Sequence, residues 1–350
     1  MNESTKRTTL VDIAQRAGVS HTTVSRALRG SPQIKKSTRA RIQKLADEMG
    51  YTPDPIVTAL MRYRNQLIRH KSSARIAVVA GPQSGGYIER FALSFAQAAN
   101  RLGYDCETYL WDPKISAKRH SNILKSRGIK GIVLGPLTDS LEQETPQINW
   151  SDFATVTLGR FVHRPKLDSV GDNPFQGIRM ALDKTTQRGG RRPGLLSTQR
   201  INFHTADRLR SAYCFHMQTQ KEENRVKPLF VEKIVNKQCL DSACKWIETQ
   251  NLDTILSHSY IIEHLAAHAP SIPNELNFIA LDIWKSQQLK NNLCGVTRDD
   301  HQIARNAIAV LNDHITHGNF GVPDSPKDLL SDNGWTDGLS RIGELRVMPQ

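Results

Sequence analysis

The stretch LVDIAQRAGVSHTTVSRAL, residues 10–28, fits two helical patterns and one glycine into the beginning of the chain. Leu10, Ile13, Ala14 and Ala17 recur at helical spacing on one face, and Thr8 or Thr9 stands where a cap is needed. Gly18 supplies the left-handed residue that ends such a helix, Val19 turns inward, and Ser20 offers a new N-cap. Beyond it Val24, Ala27 and Leu28 fall at core spacing, while His21, Thr22, Ser25 and Arg26 lie on other faces. Two short helices joined by a tight glycine turn make a helix-turn-helix, whose second helix enters the major groove of DNA. The polar make-up of that second helix then has a reason. Hydroxyl, imidazole and guanidinium groups reach phosphates and base edges.

Working outward, a third helix is expected over Thr38–Met49, with Ile42, Leu45, Ala46 and Met49 as its core stripe and Lys35, Lys36, Arg39, Arg41 and Lys44 around it. The charge distribution agrees. Of a net +13, residues 1–71 carry 14 Lys+Arg against 5 Asp+Glu, a surplus of +9, and the remaining residues share +4. A basic head on a nearly neutral body points to a polyanion-binding module joined to something else. The 350 residues exceed what one core usually serves, so more than one domain is expected.

Several classes are set aside by what the chain lacks. No apolar run is long enough to span a membrane and the N-terminus has no apolar signal stretch, so a cytoplasmic protein without a membrane partner is expected. Cys106, Cys214, Cys239, Cys244 and Cys294 are scattered and odd in number, which reads as reduced structural thiols. The twelve histidines show no metal-site spacing, and no P-loop is present. No metal, cofactor or catalytic residue is expected.

From Arg75 the pattern alternates between short apolar strands (RIAVVA, GIVLG, ATVTLG) and helices such as GYIERFALSFAQAANRLGY, with Phe91, Phe95, Ala98 and Leu102 on one side. It resumes after Asn173 with PFQGIRMALDKTTQRG, PGLLS, TADRLRSAYCFHMQ, LFVEK, LDSACKWIETQ, TILS and NFIALD. Two parallel α/β lobes are implied. AGPQSGG after the first strand lacks dinucleotide-loop spacing, and fold alone does not assign function.

VDIAQRAGVSHTTVSRAL followed by TRARIQKLADEMGYTPD resembles the N-terminus of LacI/GalR-family transcriptional repressors. The resemblance implies a multi-domain chain: an all-α helix-turn-helix DNA-binding head (1–52), a hinge helix and linker (53–73), and a two-lobed α/β core of the type I periplasmic-binding-protein-like kind (74–345). It places His21, Thr22 and Arg26 at base edges, Ser20, Thr23 and Ser25 mainly at phosphates, and Leu60 as a wedge in the minor groove. The hinge carries Val57 and Thr58 where the family tends to have Ala-Arg. In the core the chain is expected to cross between lobes three times, one lobe taking about 74–172 plus 298–325 and the other about 173–297 plus the tail.

The same comparison points to Tyr87 in GYIERF, Arg210 in RLRSAY and Asp282 in FIALDIW as effector-binding residues. A ring, a fork donor and a carboxylate acceptor suit a polyhydroxylated ligand such as a carbohydrate. Arg210 and Asp282 as a structural ion pair, and Tyr87 as a core residue, are the alternatives. Tyr213 stands where glycine is usual, Ser257-His258-Ser259 where Asn-Asp is common, and Ala304 where glycine is common. The expectation is a homodimeric regulator that binds double-stranded operator DNA under control of a small molecule. An α/β enzyme with an accessory head and a nonspecific architectural DNA protein are the rival readings.

Overall fold

The computed structural model describes residues 8–28, 34–51, 74–81, 85–137, 148–159, 164–285 and 292–347, with the backbone only for 85–90. Helices and strands are numbered in chain order. Helices α1 (Leu10–Ala17), α2 (His21–Leu28) and α3 (Lys36–Glu48) form the head. Thr9 caps α1 in a capping box: Asp12 N–H donates to the Thr9 hydroxyl at 3.3 Å, and Thr9 N–H donates to the Asp12 carboxylate at 2.8 Å. Gly18 ends the helix at φ 66°. Ser20 receives the Thr23 N–H at 3.2 Å and so starts α2.

Ile13, Ala14, Val24, Ala27, Ile42 and Ala46 form the head's small core, with Leu45, Met49 and Tyr51 packed at its rim. So few buried side chains need help from polar ties between helices. The Arg41 guanidinium donates to the Ala17 carbonyl at 3.1 Å, and the Thr8 hydroxyl to the Met49 carbonyl at 2.8 Å.

The first lobe is a parallel sheet ordered β11-β5-β4-β3-β1-β2, made of β1 (Arg75–Ala80), β2 (Asp105–Leu110), β3 (Ile129–Leu134), β4 (Ala154–Leu158), β5 (Asp168–Asp172) and β11 (Asp328–Ser331). β1 is a continuous apolar run because helices cover both faces of the sheet. α4 (Gly85–Arg101) and α11 (Asp300–His317) share one layer, where Phe91 and Phe95 meet Ala304, Ala307 and Leu311. Ala304 is fully buried there, so the methyl group fills the α4–α11 contact. α5 (Ala117–Ser126) covers the other face. β2 eluded the sequence reading, because DCETYL is a half-exposed edge strand without an apolar run.

The second lobe repeats the plan in the order β12-β10-β9-β8-β6-β7. Its strands are β6 (Pro193–Thr198), β7 (Leu229–Val231), β8 (Thr254–Ser257), β9 (Asn277–Trp284), β10 (Gly295–Arg298) and the antiparallel edge strand β12 (Gly334–Thr336). Around it lie α6 (Pro174–Gln187), α7 (Gln199–His204), α8 (Arg208–Thr219), α9 (Lys237–Thr249), α10 (Ser259–His268) and α12 (Ile342–Arg346). Tyr213 is fully buried, and its hydroxyl donates to the Pro193 and Val226 carbonyls at 2.9 and 3.2 Å.

The chain passes between lobes after Asp172, after Arg298 and after Ser331. The third passage comes later than the 325 expected, since β11 extends the first sheet to Ser331. Asn173 N–H donates to the Ser331 carbonyl at 3.0 Å and the Asn333 side-chain amide to the Asn173 carbonyl at 2.6 Å, which ties two of the passages together. Among the described residues no helix is long and apolar enough to cross a membrane.

Candidate functional site

On α2, Val24 and Ala27 are buried under the head, whereas His21, Thr22 and Arg26 are exposed and Ser25 is half-buried. Residues 21, 22, 25 and 26 fall within about 140° of arc on a helix that turns about 100° per residue, opposite the core face. One side of α2 therefore holds the head together and the other presents an imidazole, two hydroxyls and a guanidinium to solvent. Ser20 and Thr23 serve the helix itself: their hydroxyl oxygens lie 2.9 Å apart and Ser20 caps the first turn. Leu60 lies outside the described residues.

The second site is a cavity of about 240 Å³ between the lobes. It opens where parallel strands end, the usual ligand position in open α/β sheets, because strand termini bring loops and helix starts together. β5 delivers Asp172, the turn after β8 delivers His258, β9 delivers Asp282 and Trp284, and β10 delivers Arg298. Asp282 accepts from Ser259 N–H at 2.7 Å and from the Ser259 hydroxyl at 2.8 Å through one oxygen. Burial pushes its carboxyl up, yet the His258 charge once that imidazole is protonated, together with Arg298 and the two Ser259 bonds, outweighs that and holds it below the usual carboxylate range. Burial drives His258 the other way, down to about 4. Its Nδ1 is buried and has no hydrogen-bond partner among the described residues.

Among the described residues, two ion pairs cross the cleft. Arg298 lies 3.3 Å from Asp172 and also donates to the Leu281 carbonyl at 3.2 Å, with its guanidinium 5.4 Å from the Trp284 ring centre. Arg208, at the first turn of α8, reaches Asp328 of the first lobe at 2.9 Å, and the Ser169 hydroxyl donates to the other Asp328 oxygen at 2.6 Å.

Of the three effector residues expected from sequence, the structure places Asp282 in this cavity and Arg210 outside it. Arg210 is exposed on α8 and its guanidinium lies 5.0 Å from the Phe230 ring centre. It does not pair with Asp282, whose hydrogen bonds come from Ser259. The residue that enters the cleft is Arg208. Two positions along a helix are about 200° apart, so the phase of α8 decides which arginine faces the ligand space. That phase is set by Ala206 and Asp207, both left-handed at φ 50° and 59°, with the Asn202 amide donating to the Asp207 carboxylate. Tyr87 falls on α4, and its side chain is outside the described residues. Arg208, His258, Arg298 and Asp172 were not singled out from sequence; the Ser-His-Ser departure after TILS was the one local signal at His258.

Residues 9–54 match the family model described as bacterial regulatory proteins, lacI family. The HTH-type transcriptional regulator DegA of Bacillus subtilis is 35% identical over 130 residues, 36% of each chain. The HTH-type transcriptional repressor PurR of Haemophilus influenzae is 22% identical over 331 residues, 90% of this chain and 93% of PurR. The chain thus spans about a third of DegA and nearly all of PurR. Among solved structures, the transcriptional regulator CelR–cellobiose complex superposes with a TM-score of 0.56 at 18% identity, covering 96% of this chain and 100% of that one.

Proposed function

Because the chain belongs to the LacI/GalR family of bacterial transcriptional regulators, we propose that it recognises a specific operator through α2 and that a small molecule held between its lobes alters operator affinity. It is a regulator and not an enzyme. The observation that carries the reading is the exposed face of α2, where His21, Thr22, Ser25 and Arg26 stand on a helix whose opposite side is locked into the head. An exposed arginine on such a face reads guanine through two parallel hydrogen bonds, and neighbouring hydroxyls take phosphates. Ser20 and Thr23 contribute at the phosphates from the first turn. Residues 1–52 act as the DNA-binding domain, 53–73 as the hinge with Leu60 wedged into the minor groove, and 74–345 as the effector-binding and dimerising body.

The effector is a polar metabolite of the carbohydrate type, with Asp282 taking its hydroxyls and Tyr87 as a further contact. CelR, of similar fold, was solved with cellobiose, which supports this class. Homodimerisation is supported by the β2 edge of the first sheet, unpaired among the described residues, where Leu110 on β2 and Leu93 on the neighbouring α4 are each more than half exposed (59% and 65%). Two heads then meet two half-sites about one helical turn apart.

The test is selection of bound genomic fragments by wild type and by Arg26→Ala. A shared motif with relaxed preference at one base pair in the variant, equivalent to about 1–3 kcal/mol of discrimination, is the expected result. Binding without a motif in both proteins would instead favour an architectural role.

A further inference from the structure

Resting on the reading of the interlobe cavity as the effector site, we infer that the effector carries a carboxylate, and that Arg208 receives it by exchanging Asp328 for the ligand. A polyhydroxylated acid of the aldonate or uronate type fits the lining.

The argument starts from the pairing of charges. Arg298 is anchored at its Nε, which meets both Asp172 and the Leu281 carbonyl, and it lies over the Trp284 ring with its side chain less exposed than that of Arg208 (12% against 25%). Arg208 is held by the Asp328 carboxylate of the other lobe. Both members of that pair keep about a quarter of their side-chain surface exposed (25% and 24%), so solvent screens it and it is easily exchanged. Asp328 is not stranded when displaced, because Ser169 still donates to its other oxygen at 2.6 Å and water reaches it. A guanidinium kept in a cavity wall by a screened protein carboxylate marks a position where an external carboxylate fits, since guanidinium binds carboxylates through two parallel bonds.

The rest of the wall selects hydroxyls. Asp282 is ionised and acceptor-only, with both Ser259 donors on one oxygen. His258 is a neutral imidazole whose Nδ1 is buried without a partner among the described residues. Ligand hydroxyls can donate to the Asp282 carboxylate and either give to or take from a neutral imidazole. The cavity of about 240 Å³ accepts a molecule of monosaccharide size.

The experiment is isothermal titration calorimetry on the full chain with D-gluconate and D-glucuronate against D-glucose and D-glucitol, repeated on Arg208→Gln and Asp328→Asn. The acids should bind the wild type at least roughly tenfold tighter than the neutral compounds, a ratio appropriate to one charge-assisted pair. Arg208→Gln should erase that preference. Asp328→Asn, which removes the internal competitor, should tighten acid binding, an effect that a damaged fold would not produce. Equal binding of both classes, no binding of either class, or an acid preference that survives Arg208→Gln would overturn the proposal. An Asp282→Asn control separates this failure from that of the cleft reading. Neutral binding that is lost in Asp282→Asn leaves the cleft as the effector site and removes only the carboxylate, whereas binding indifferent to Asp282→Asn removes both.

Discussion

Replacing His258 should change how stability responds to acid. Its ordinary value is 6.5, and burial in the cleft wall pushes it down to about 4; the nearby Asp282 and Asp172 carboxylates pull upward and Arg298 pushes down, without reversing the direction. In the unfolded chain this imidazole takes up a proton as pH falls through 6.5, whereas the native one stays neutral until about 4. The unfolded state therefore binds more protons across that window, and stability falls as pH falls, by about 1.4 kcal/mol per unit for one group. Over the whole window the loss is roughly 3 kcal/mol.

Asp282 acts below this range: its carboxyl is held low, so its contribution is present above the ordinary carboxylate value and disappears only as pH drops through the folded value. His258→Gln removes the imidazole titration, and its effect on Asp282 is confined to the more acid range in which the native imidazole carries charge. The assay is thermal unfolding of wild type and His258→Gln between about pH 7.5 and about 4.5. The wild-type midpoint should fall by roughly 6–12 °C more than that of the variant, given about 2–4 °C per kcal/mol for a body of this size. Parallel pH profiles for the two proteins would show that His258 is not held neutral, and the assignment of a neutral imidazole to the cleft wall would have to be withdrawn.

Other outcomes follow from single positions. Gly18→Ala meets no atom within 4 Å, so its cost is purely that of a left-handed alanine at φ 66°, about 1 kcal/mol; the head's melting point and operator affinity should drop together, and an unchanged head would rule out the cap. At Gly295 an added Cβ would lie 2.0 Å from the Ala280 carbonyl oxygen, backbone against backbone, so Gly295→Ala should cost several kcal/mol by forcing β9 and β10 apart, readable in urea unfolding of the body. Leu60→Ala should weaken operator binding while leaving the effector affinity of the body intact. Equal operator affinities would make Leu60 an ordinary linker residue.

The head was legible in the sequence because every signal that shapes it is local. Thr9, Gly18 and Ser20 act within one helical turn of the residues they cap, and Ile13, Val24 and Ile42 declare their burial through a spacing that no distant contact alters. The strands RIAVVA and NFIALD were legible for a similar reason, since a parallel strand covered on both faces must be apolar along its length. The polar edge strand β2 carries no such demand. The cleft is another matter. Its wall gathers residues from Leu158 to Leu330, and whether an arginine near its mouth faces the ligand depends on the phase of α8. A family pattern in RLRSAY pointed to Arg210, but the two left-handed residues Ala206 and Asp207 turn Arg208 inward and Arg210 out over Phe230. Backbone sign at two positions, and the meeting of Arg208 with a carboxylate 120 residues away, are decided only when both lobes are in place.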